Sequence, residues 1–563
     1  MGPCLAAALA ASLLAAPTPR VEGALARRID RHLSRLVPFG FAGTVLMARG
    51  DTVLLHRAYG WADGEARTPE TLETLHAIGS LTKAFTAAAV LRLEADGVLR
   101  TGDPLAAHLP DVPSDKATIT LHQLLTHTAG IVESIYPSGL EAEWLPRTRE
   151  EAIERILAAP LRFPPGNRFA YSNAGYTLLA AVVERASGQT FETYLRRHVL
   201  LPADLEDIGM QAPRWDLRRF PHVMAGDEDR GTLVDRLGLG RKDPPPLWNL
   251  VGNSGLQATA YDLYRWVRAL RGGRVIPGSA VARMFDGGKH AYGYGWEVRA
   301  MPGGNREFRH VGGHYVGTNA EIVVDELTER TMVVLCDRLV DRRVTWTTSV
   351  RPLLTALLED RPPPALPPAV RAPAAGELQR WEGTWGDARG PAFHAEVRSG
   401  RLRLRPLRED VTAALLDVNA EDLARTGARA LGLVSGLLRG GEAQDPDLGP
   451  LVQAVVAPAG ADLKVSAGAT VPDVGGAFVT TTHVSGSRGE VELHLRWREG
   501  AVVALHRKPL TVEVAFLPDA RRPGVFAGYH PFLNAGPELV AISGKAGPIA
   551  LHLGGRAFRR LAP

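Results

Sequence analysis

The sequence predicts a mixed α/β protein, with a domain that interleaves helices and strands followed by a β-rich domain. Three observations carry this. Up to Leu358, segments of helical period alternate with segments of strand-like period. The run Arg361-Pro-Pro-Pro-Ala-Leu-Pro-Pro368 then interrupts both patterns. Proline fixes φ and lacks an N–H donor, so this run extends as polyproline II and marks a domain boundary. Beyond it, short alternating runs are separated by Gly, Pro and Asp, as in β-rich domains.

Taken in order, the apolar stretch Leu5 to Ala16 has the length of a signal-peptide core and is too short to span a bilayer. Export is expected, with cleavage after Ala16 or after Ala24-Leu25-Ala26, although Met-Gly-Pro-Cys supplies no basic residue ahead of the stretch. A frayed N-terminal helix is the alternative. Leu25 to Leu36 reads as a helix, and Phe41 to Ala48 with Thr52 to Tyr59 read as a hairpin around Arg49-Gly50-Asp51. Helical periodicity then covers Ala84 to Ala95, Leu121 to His127, Glu150 to Ala159 and Gly175 to Ala186, the last stopped by Ser187-Gly188. Strands return at Gly295 to Arg299, Thr318 to Val324 and Thr331 to Cys336, and a helix at Thr347 to Leu358 closes this part. In the last third, His394 to Val397, Arg401 to Arg405, Val491 to Arg496 and Thr511 to Phe516 alternate as strands, while Ala413 to Leu438 reads as a helical insertion. The expected layout is a signal peptide over residues 1–26, a first domain over 27–360, a linker over 361–375 and a β-rich domain over 376–563.

Composition narrows the function. The 65 basic and 61 acidic residues are scattered, giving a net charge of +4 with no long run of either sign, so no nucleic-acid partner is expected. Of the 2 cysteines, Cys4 leaves with the signal peptide and Cys336 sits in an apolar run, where it reads as a small buried hydrophobe. Lysines are few beside arginines, which makes Lys83 informative about its surroundings.

Three stretches carry chemistry. In Ala77-Ile-Gly-Ser80-Leu-Thr-Lys83, Ser80 stands where a turn gives way to an apolar helix. A serine there can offer its own N–H to an oxyanion, and Lys83 follows one turn later on the same face. Desolvated by Ala, Phe and Val neighbours, that lysine would have a lowered pKa and could take the serine proton. An N-cap serine beside a surface lysine is the bland alternative. In Pro164-Pro-Gly-Asn-Arg-Phe-Ala-Tyr171-Ser-Asn173-Ala-Gly-Tyr176, Tyr171 could relay a proton and Asn173 could orient the lysine or a carbonyl; otherwise this is a capped helix start. Phe308-Arg-His310-Val-Gly312-Gly313 lies ahead of a strand. Gly312 there would let a substrate approach the backbone, and the following N–H could be a second oxyanion donor.

In this order the three stretches resemble the class C β-lactamase group of serine hydrolases, with its Ser-x-x-Lys, Tyr-x-Asn and Lys/His-x-Gly motifs. That group includes penicillin-binding DD-peptidases, D-aminopeptidases and esterases. The neighbouring words strengthen the likeness: Leu124-Leu-Thr-His-Thr-Ala-Gly130, Tyr171-Ser-Asn-Ala-Gly-Tyr-Thr-Leu-Leu179, Ser254-Gly-Leu-Gln-Ala-Thr-Ala-Tyr-Asp262 and Tyr292-Gly-Tyr-Gly-Trp296, within a span from about Arg27 to Leu358. The resemblance implies a largely antiparallel sheet flanked by helices, with a helical subdomain across a cleft. It also implies that Ser80 is the nucleophile, that Lys83 and Tyr171 handle its proton, that Asn173 contacts substrate and that His310 stands on the cleft wall. The Ser80 and Gly313 amides would form the oxyanion hole. No metal or cofactor is expected, since His122 and His127 suit packing and capping better than coordination.

The chain departs from the pattern at His310-Val311-Gly312. β-Lactamases and DD-peptidases usually carry Lys-Thr-Gly, whose hydroxyl helps hold a substrate carboxylate. Losing it removes a hydrogen bond worth about 1.5–3 kcal/mol. His310, mostly neutral at pH 7, also replaces a permanent cation. The expectation is therefore an esterase or a peptidase for small or D-configured ester, amide or peptide substrates, ahead of a weak β-lactamase or DD-carboxypeptidase, or a muropeptide binder with little turnover. Leu378-Gln-Arg-Trp381-Glu-Gly383-Thr-Trp385 is similar to the start of lipocalin-like domains appended to such hydrolases, which implies a barrel with a regulatory or gating role.

Overall fold

The computed structural model describes residues 18–561 except 64–67, 136–143, 212–242, 314–317, 337–345, 359–365, 399, 408–410, 412–413, 415–419, 439–451, 454–455, 457–458, 460, 474–476, 499–500, 507–513, 530–537, 545–546 and 554–555. The expected signal-peptide core, the start of the proline-rich run and Thr511 lie outside the described residues. No helix among the described residues is long and apolar enough to cross a membrane. The chain divides into two compact units, with Phe41–Leu339 in the first and Thr348–Pro563 in the second.

The first unit is organised by a seven-stranded antiparallel sheet. Its strands are β1 (Arg20–Val21), β2 (Gly43–Arg49), β3 (Thr52–Tyr59), β6 (Glu297–Ala300), β7 (Arg306–Gly313), β8 (Asn319–Asp325) and β9 (Arg330–Cys336), in the order β1-β3-β2-β9-β8-β7-β6. The two-residue strands β4 (His76–Ala77) and β5 (Gln257–Ala258) pair separately. The anticipated hairpin is β2–β3, turning at Gly50 with φ +53°. The central strands β2, β8 and β9 are buried almost end to end, because helices cover them and no solvated face remains.

The helices follow their caps. α1 (Gly23–Leu36) lies between β1 and β2 in the chain, and α2 (Thr82–Ala95) carries Lys83. α3 (Leu121–Leu125) and α4 (Arg149–Ala158) open on capping boxes, Thr120/Gln123 and Thr148/Glu151. α5 (Asn173–Ser187) opens on Ser172, whose Oγ accepts the Gly175 N–H at 2.9 Å, and stops at Gly188 in the left-handed region with φ +67°. α6 (Phe191–Leu195), α7 (Ala260–Arg271) and α8 (Gly278–Met284) complete the set. α2 is apolar on nearly every side and is correspondingly buried, from Thr82 to Leu91 without a break. It packs on α5 and α8, while α7 covers β2 and β9; Phe85 of α2 stacks on Trp266 of α7 at 4.2 Å. α9 (Trp346–Leu358) matches the expected closing helix.

One placement differs from expectation. His310 to Gly313 lie on β7 itself and not ahead of a strand. The buried face of β7 is Phe308, His310 and Gly312, so the period-2 pattern is present but written with a histidine and a glycine.

The second unit contains a closed barrel of eight strands: β10 (Gly383–Asp387), β11 (Gly390–Arg398), β12 (Arg401–Pro406), β17 (Val514–Pro518), β18 (Val525–Tyr529), β19 (Glu538–Gly544), β20 (Gly547–Leu553) and β21 (Arg556–Arg560). β10 closes the ring on β21 through Trp385↔Arg560 and Gly386↔Arg559. Trp381, Trp385, Phe393, Phe516, Phe526 and Phe558 pack with Leu402, Leu404, Leu551 and others into one fully buried cluster. Between β12 and β17 stands an insertion made of α10 (Ala420–Leu438) and a four-stranded sheet, β13 (Lys464–Asp473), β14 (Ala477–Gly486), β15 (Gly489–Arg498) and β16 (Ala501–His506). It has its own core, with Val434 and Leu437 of α10 against Val484, Leu493 and Leu495. The run Val491 to Arg496 therefore belongs to this sheet and not to the barrel.

Candidate active site

Ser80 sits in a single 3-10 turn, Gly79–Leu81, that leads into α2. Gly79 holds φ +50°, a conformation that suits glycine, and this swings the turn against β7. A side chain on Gly79 would stand 2.4 Å from the Gly313 nitrogen, and one on Gly312 would stand 1.9 Å from the Ile78 carbonyl oxygen and 2.8 Å from the Ser80 nitrogen. The two glycines thus let the Ser80 turn and β7 meet backbone to backbone, bringing the Ser80 and Gly313 amides close together. The close approach at Gly312 is to this turn. The expectation from sequence had assigned that space to a substrate.

Lys83, one helical turn on, is fully buried. Its Nζ lies 3.0 Å from Ser80 Oγ, 2.7 Å from Asn173 Oδ1 and 2.8 Å from the Asn253 carbonyl oxygen. No ion pair neutralises it among the described residues, and burial lowers its pKa well below the usual lysine range, opposed by the charge of Glu133. Asn173 is the first residue of α5, and the segment around Asn253 is anchored by Thr86 Oγ1 donating to the Gly252 carbonyl at 2.6 Å and by Asn253 Nδ2 donating to Thr177 Oγ1 at 2.8 Å.

Tyr171 lies beside the pair, its ring centroid 4.8 Å from Lys83 Nζ. Burial pushes its phenol above the ordinary value; the Ser80 hydroxyl pulls the other way, and the charges of Glu297 and Glu133 add to the rise. His127 packs on the Tyr171 ring at 4.3 Å and on Tyr292 at 4.7 Å, and its Nδ1 accepts the Ser172 N–H at 3.1 Å. His127 has φ +57° and is buried, so its ring is a fixed wall, while His122 pairs its Nδ1 with the Tyr294 hydroxyl at 2.7 Å. The described residues contain no group of three or more side chains able to hold a metal ion.

His310 is buried on β7, and its Nδ1 lies 2.6 Å from the Gly295 carbonyl oxygen. A carbonyl only accepts, so Nδ1 carries the proton and Nε2 is an acceptor in the neutral ring. Burial, the nearby Lys83 charge and Arg309 push its pKa down to about 3 against the Gly295 bond, so the ring stays neutral at physiological pH. Gly295 has its own constraint: a side chain there would stand 2.7 Å from the Ala84 backbone.

The structure therefore brings Ser80, Lys83, Tyr171, Asn173, His310, Gly312 and Gly313 into one cluster. Sequence reasoning missed Asn253 and Gly295, which act through main-chain carbonyls that no side-chain pattern reports. It also missed Glu133, whose carbonyl accepts the Asn173 and Ala174 N–H groups at 2.8 and 3.1 Å.

Residues 39–354 match the family described as Beta-lactamase. The chain belongs to that family. Among beta-lactamase family relatives, the putative penicillin-binding protein PbpX of Bacillus subtilis is 29% identical over 273 residues, covering 48% of this chain and 65% of that protein. Esterase EstB of Burkholderia gladioli is 35% identical over 181 residues, covering 29% and 45%. The chain thus spans less than two thirds of the length of these curated relatives. Two solved structures share the beta-lactamase fold. The octameric penicillin-binding protein homologue of Pyrococcus abyssi has a TM-score of 0.52 at 19% identity, covering 88% of this chain and 98% of that one. The D-amino acid amidase of Ochrobactrum anthropi SV3 has a TM-score of 0.52 at 20% identity, covering 60% and 99%. At these identities the structural likeness speaks to fold alone.

Proposed function

We propose that this beta-lactamase-family serine hydrolase cleaves small esters or amides through an acyl-enzyme on Ser80, with Lys83 as the base. The observation that carries the reading is the set of partners around Lys83 Nζ. A neutral amine has two protons and one lone pair. Asn173 Oδ1 and the Asn253 carbonyl, at 2.7 and 2.8 Å, take the protons, which leaves the lone pair for Ser80 Oγ at 3.0 Å. Burial favours that neutral form. Tyr171, with its pKa raised, serves as a proton donor to the leaving group and not as the first base.

In the first step Ser80 Oγ attacks the carbonyl carbon while its proton passes to Lys83, and the developing oxyanion is met by the Ser80 and Gly313 amides. The proton then goes to the leaving alcohol or amine by way of Tyr171. Water next attacks the acyl-enzyme with the same groups acting in reverse. Esters, and amides of the kind cleaved by D-amino-acid peptidases, are favoured over β-lactams because Val311 lacks the hydroxyl that would hold a ring carboxylate. Export belongs to the same reading, supported by the Leu5 to Ala16 stretch.

The test is labelling by a fluorophosphonate together with turnover of p-nitrophenyl esters, nitrocefin and D-amino-acid amides. Wild type is expected to label and to turn over esters or amides, with nitrocefin poorest. Equal labelling and turnover by Ser80→Ala would rule the mechanism out. Tight ligand binding unaffected by Ser80→Ala, without turnover, would favour a binding protein.

A further inference from the structure

Tyr171 lies outside any helix or strand, two residues ahead of α5, and is held there by a residue that the mechanism above does not use. A side chain on a loop is positioned less sharply than one on a regular element, so its neighbours must supply the rigidity. Main-chain bonds stitch the segment after α3 to this loop. The Gly130 carbonyl accepts the Arg162 N–H at 2.8 Å, the Thr128 carbonyl accepts the Gly166 N–H at 2.8 Å, and the His127 carbonyl accepts the Ala170 N–H at 2.9 Å. The seam is tight: a side chain on Gly130 would stand 2.2 Å from the Phe163 carbonyl oxygen. Its last stitch differs in kind. His127 Nδ1 accepts the Ser172 N–H at 3.1 Å, so one residue grips the chain on both sides of Tyr171. The same imidazole packs on the Tyr171 ring, with centroids 4.3 Å apart.

The Ser172 bond decides the tautomer. Nδ1 accepts, so the neutral ring keeps its proton on Nε2. Nε2 meets no hydrogen-bond partner among the described residues, and the rings of Phe169, Tyr171, Tyr176 and Tyr292 surround the imidazole. Burial, and then the charges of Lys83 and His310, hold its pKa well below the ordinary histidine value. A second proton would have to sit on Nδ1 and would break the bond to Ser172. Capping does not call for that bond, because α5 is already capped by Ser172 Oγ, which accepts the Gly175 N–H at 2.9 Å and donates to the Val132 carbonyl at 2.6 Å.

We propose that His127 is the positioning residue for Tyr171: by clamping the main chain at Ala170 and Ser172 and facing the ring, it sets the phenol where a leaving group is protonated. This rests on the acyl-enzyme reading above, in which Tyr171 gives its proton to the leaving group and recovers one from Lys83. In that step the acyl C–O or C–N bond breaks, and the departing oxygen or nitrogen gains the proton that began on Ser80 Oγ. The clamp therefore matters most where the leaving group is poor. A p-nitrophenolate departs unprotonated, whereas an alcohol must be protonated as it leaves.

The test measures kcat/KM of the purified full chain on the p-nitrophenyl, phenyl and ethyl esters of acetic acid. His127→Gly and His127→Asn both tolerate the φ of +57° at this position, and the Asn Oδ1 can stand where Nδ1 stood. The ratio of the ethyl to the p-nitrophenyl value is expected to fall about 10²-fold in His127→Gly, as in Tyr171→Phe, and to recover most of that loss in His127→Asn. Taking ratios removes any general loss of activity. Fluorophosphonate labelling of Ser80, which expels fluoride, is expected to continue in His127→Gly. A measurement that needs no variant to fold is the ¹⁵N NMR signature of the His127 ring in wild type, expected to show a neutral imidazole protonated at Nε2 at neutral pH. An unchanged ratio in His127→Gly, no recovery in His127→Asn, or a proton on Nδ1 overturns the clamp and leaves the hydrolase standing. An unchanged ratio in Tyr171→Phe overturns Tyr171 as the proton donor and the clamp with it, and turnover that survives Ser80→Ala overturns the hydrolase reading itself.

Discussion

The side chains packed around Lys83 and those inside the barrel are both largely buried, and the two interiors are built on opposite terms. In the first unit, Lys83, His127, His310, Asn253 and Thr86 are buried among apolar neighbours, each tied to a specific carbonyl, amide or hydroxyl. In the second, Trp381, Trp385, Phe393, Phe516 and Phe558 are buried against one another. A buried polar group costs stability unless its partners are in place, whereas a buried aromatic adds stability by packing. The comparison teaches that burial serves chemistry in one core and cohesion in the other, so substitutions in the two should fail in different assays.

The largest effect is expected from Ser80→Ala and Lys83→Ala, each lowering kcat/KM for an ester by about 10⁴ or more, with a melting transition close to wild type for the serine variant. Trp385→Ala, on the other side of the comparison, should cost about 3–5 kcal/mol in denaturant unfolding of the C-terminal unit. Fluorophosphonate labelling of Ser80 in the folded Trp385→Ala protein is expected to match wild type. Gly312→Ala should lose about 10² in kcat, because a methyl 1.9 Å from the Ile78 oxygen forces β7 away from the Ser80 turn. Stopped-flow acylation with p-nitrophenyl acetate reads this directly.

The buried lysine gives a smaller, pH-dependent signature. Its folded pKa lies well below the ordinary value of 10.5, so as pH falls below 10.5 the unfolded chain takes the proton first. The cost of burying it is therefore absent above pH 10.5 and grows as pH falls toward the folded pKa. Lys83→Met should flatten the stability rise between pH 7 and pH 10 by at most about 1.4 kcal/mol per pH unit, measured by urea unfolding. Activity follows the same group in the same direction: turnover is expected to fall as pH drops through the folded pKa of Lys83, read from a pH–kcat profile. The smallest expected change is a gain of about tenfold in nitrocefin hydrolysis in Val311→Thr, where a hydroxyl is restored near the cleft.

Much of this was legible in the sequence, and what was not has physical reasons. The β2–β3 hairpin, α2, α4, α5 and α9 announce themselves through apolar period and caps such as Thr148/Glu151 and Ser172. Ser80, Lys83, Tyr171, Asn173 and His310 could be named because each is proposed to act through its side chain. β7 hid its period behind His310 and Gly312, and β21 buries one residue, Phe558, in five, enough to close a barrel and too little to read as a strand. α7 and α8 went unread, although the Thr259/Asp262 capping box of α7 lies within a recognised word. Asn253 and Gly295 contribute carbonyls, which every residue possesses, so only the fold reveals which ones count.

The insertion between β12 and β17 bears on how the barrel assembles. Leu402↔Phe516 and Leu404↔Val514 are neighbours in an antiparallel ladder that a tight turn could join, yet the chain leaves for roughly a hundred residues between them. Closing so long a detour costs about 4 kcal/mol of chain entropy, and each doubling adds only about 0.6 kcal/mol. Since α10 and its sheet fold around Val434, Leu437, Val484 and Leu493, the detour is a passenger with a hydrophobic centre of its own. Since Val411 belongs to the barrel cluster, the splice point lies after it: replacing the passenger beyond that residue by a short turn, or by foreign cargo, is expected to leave the eight-strand ring closed.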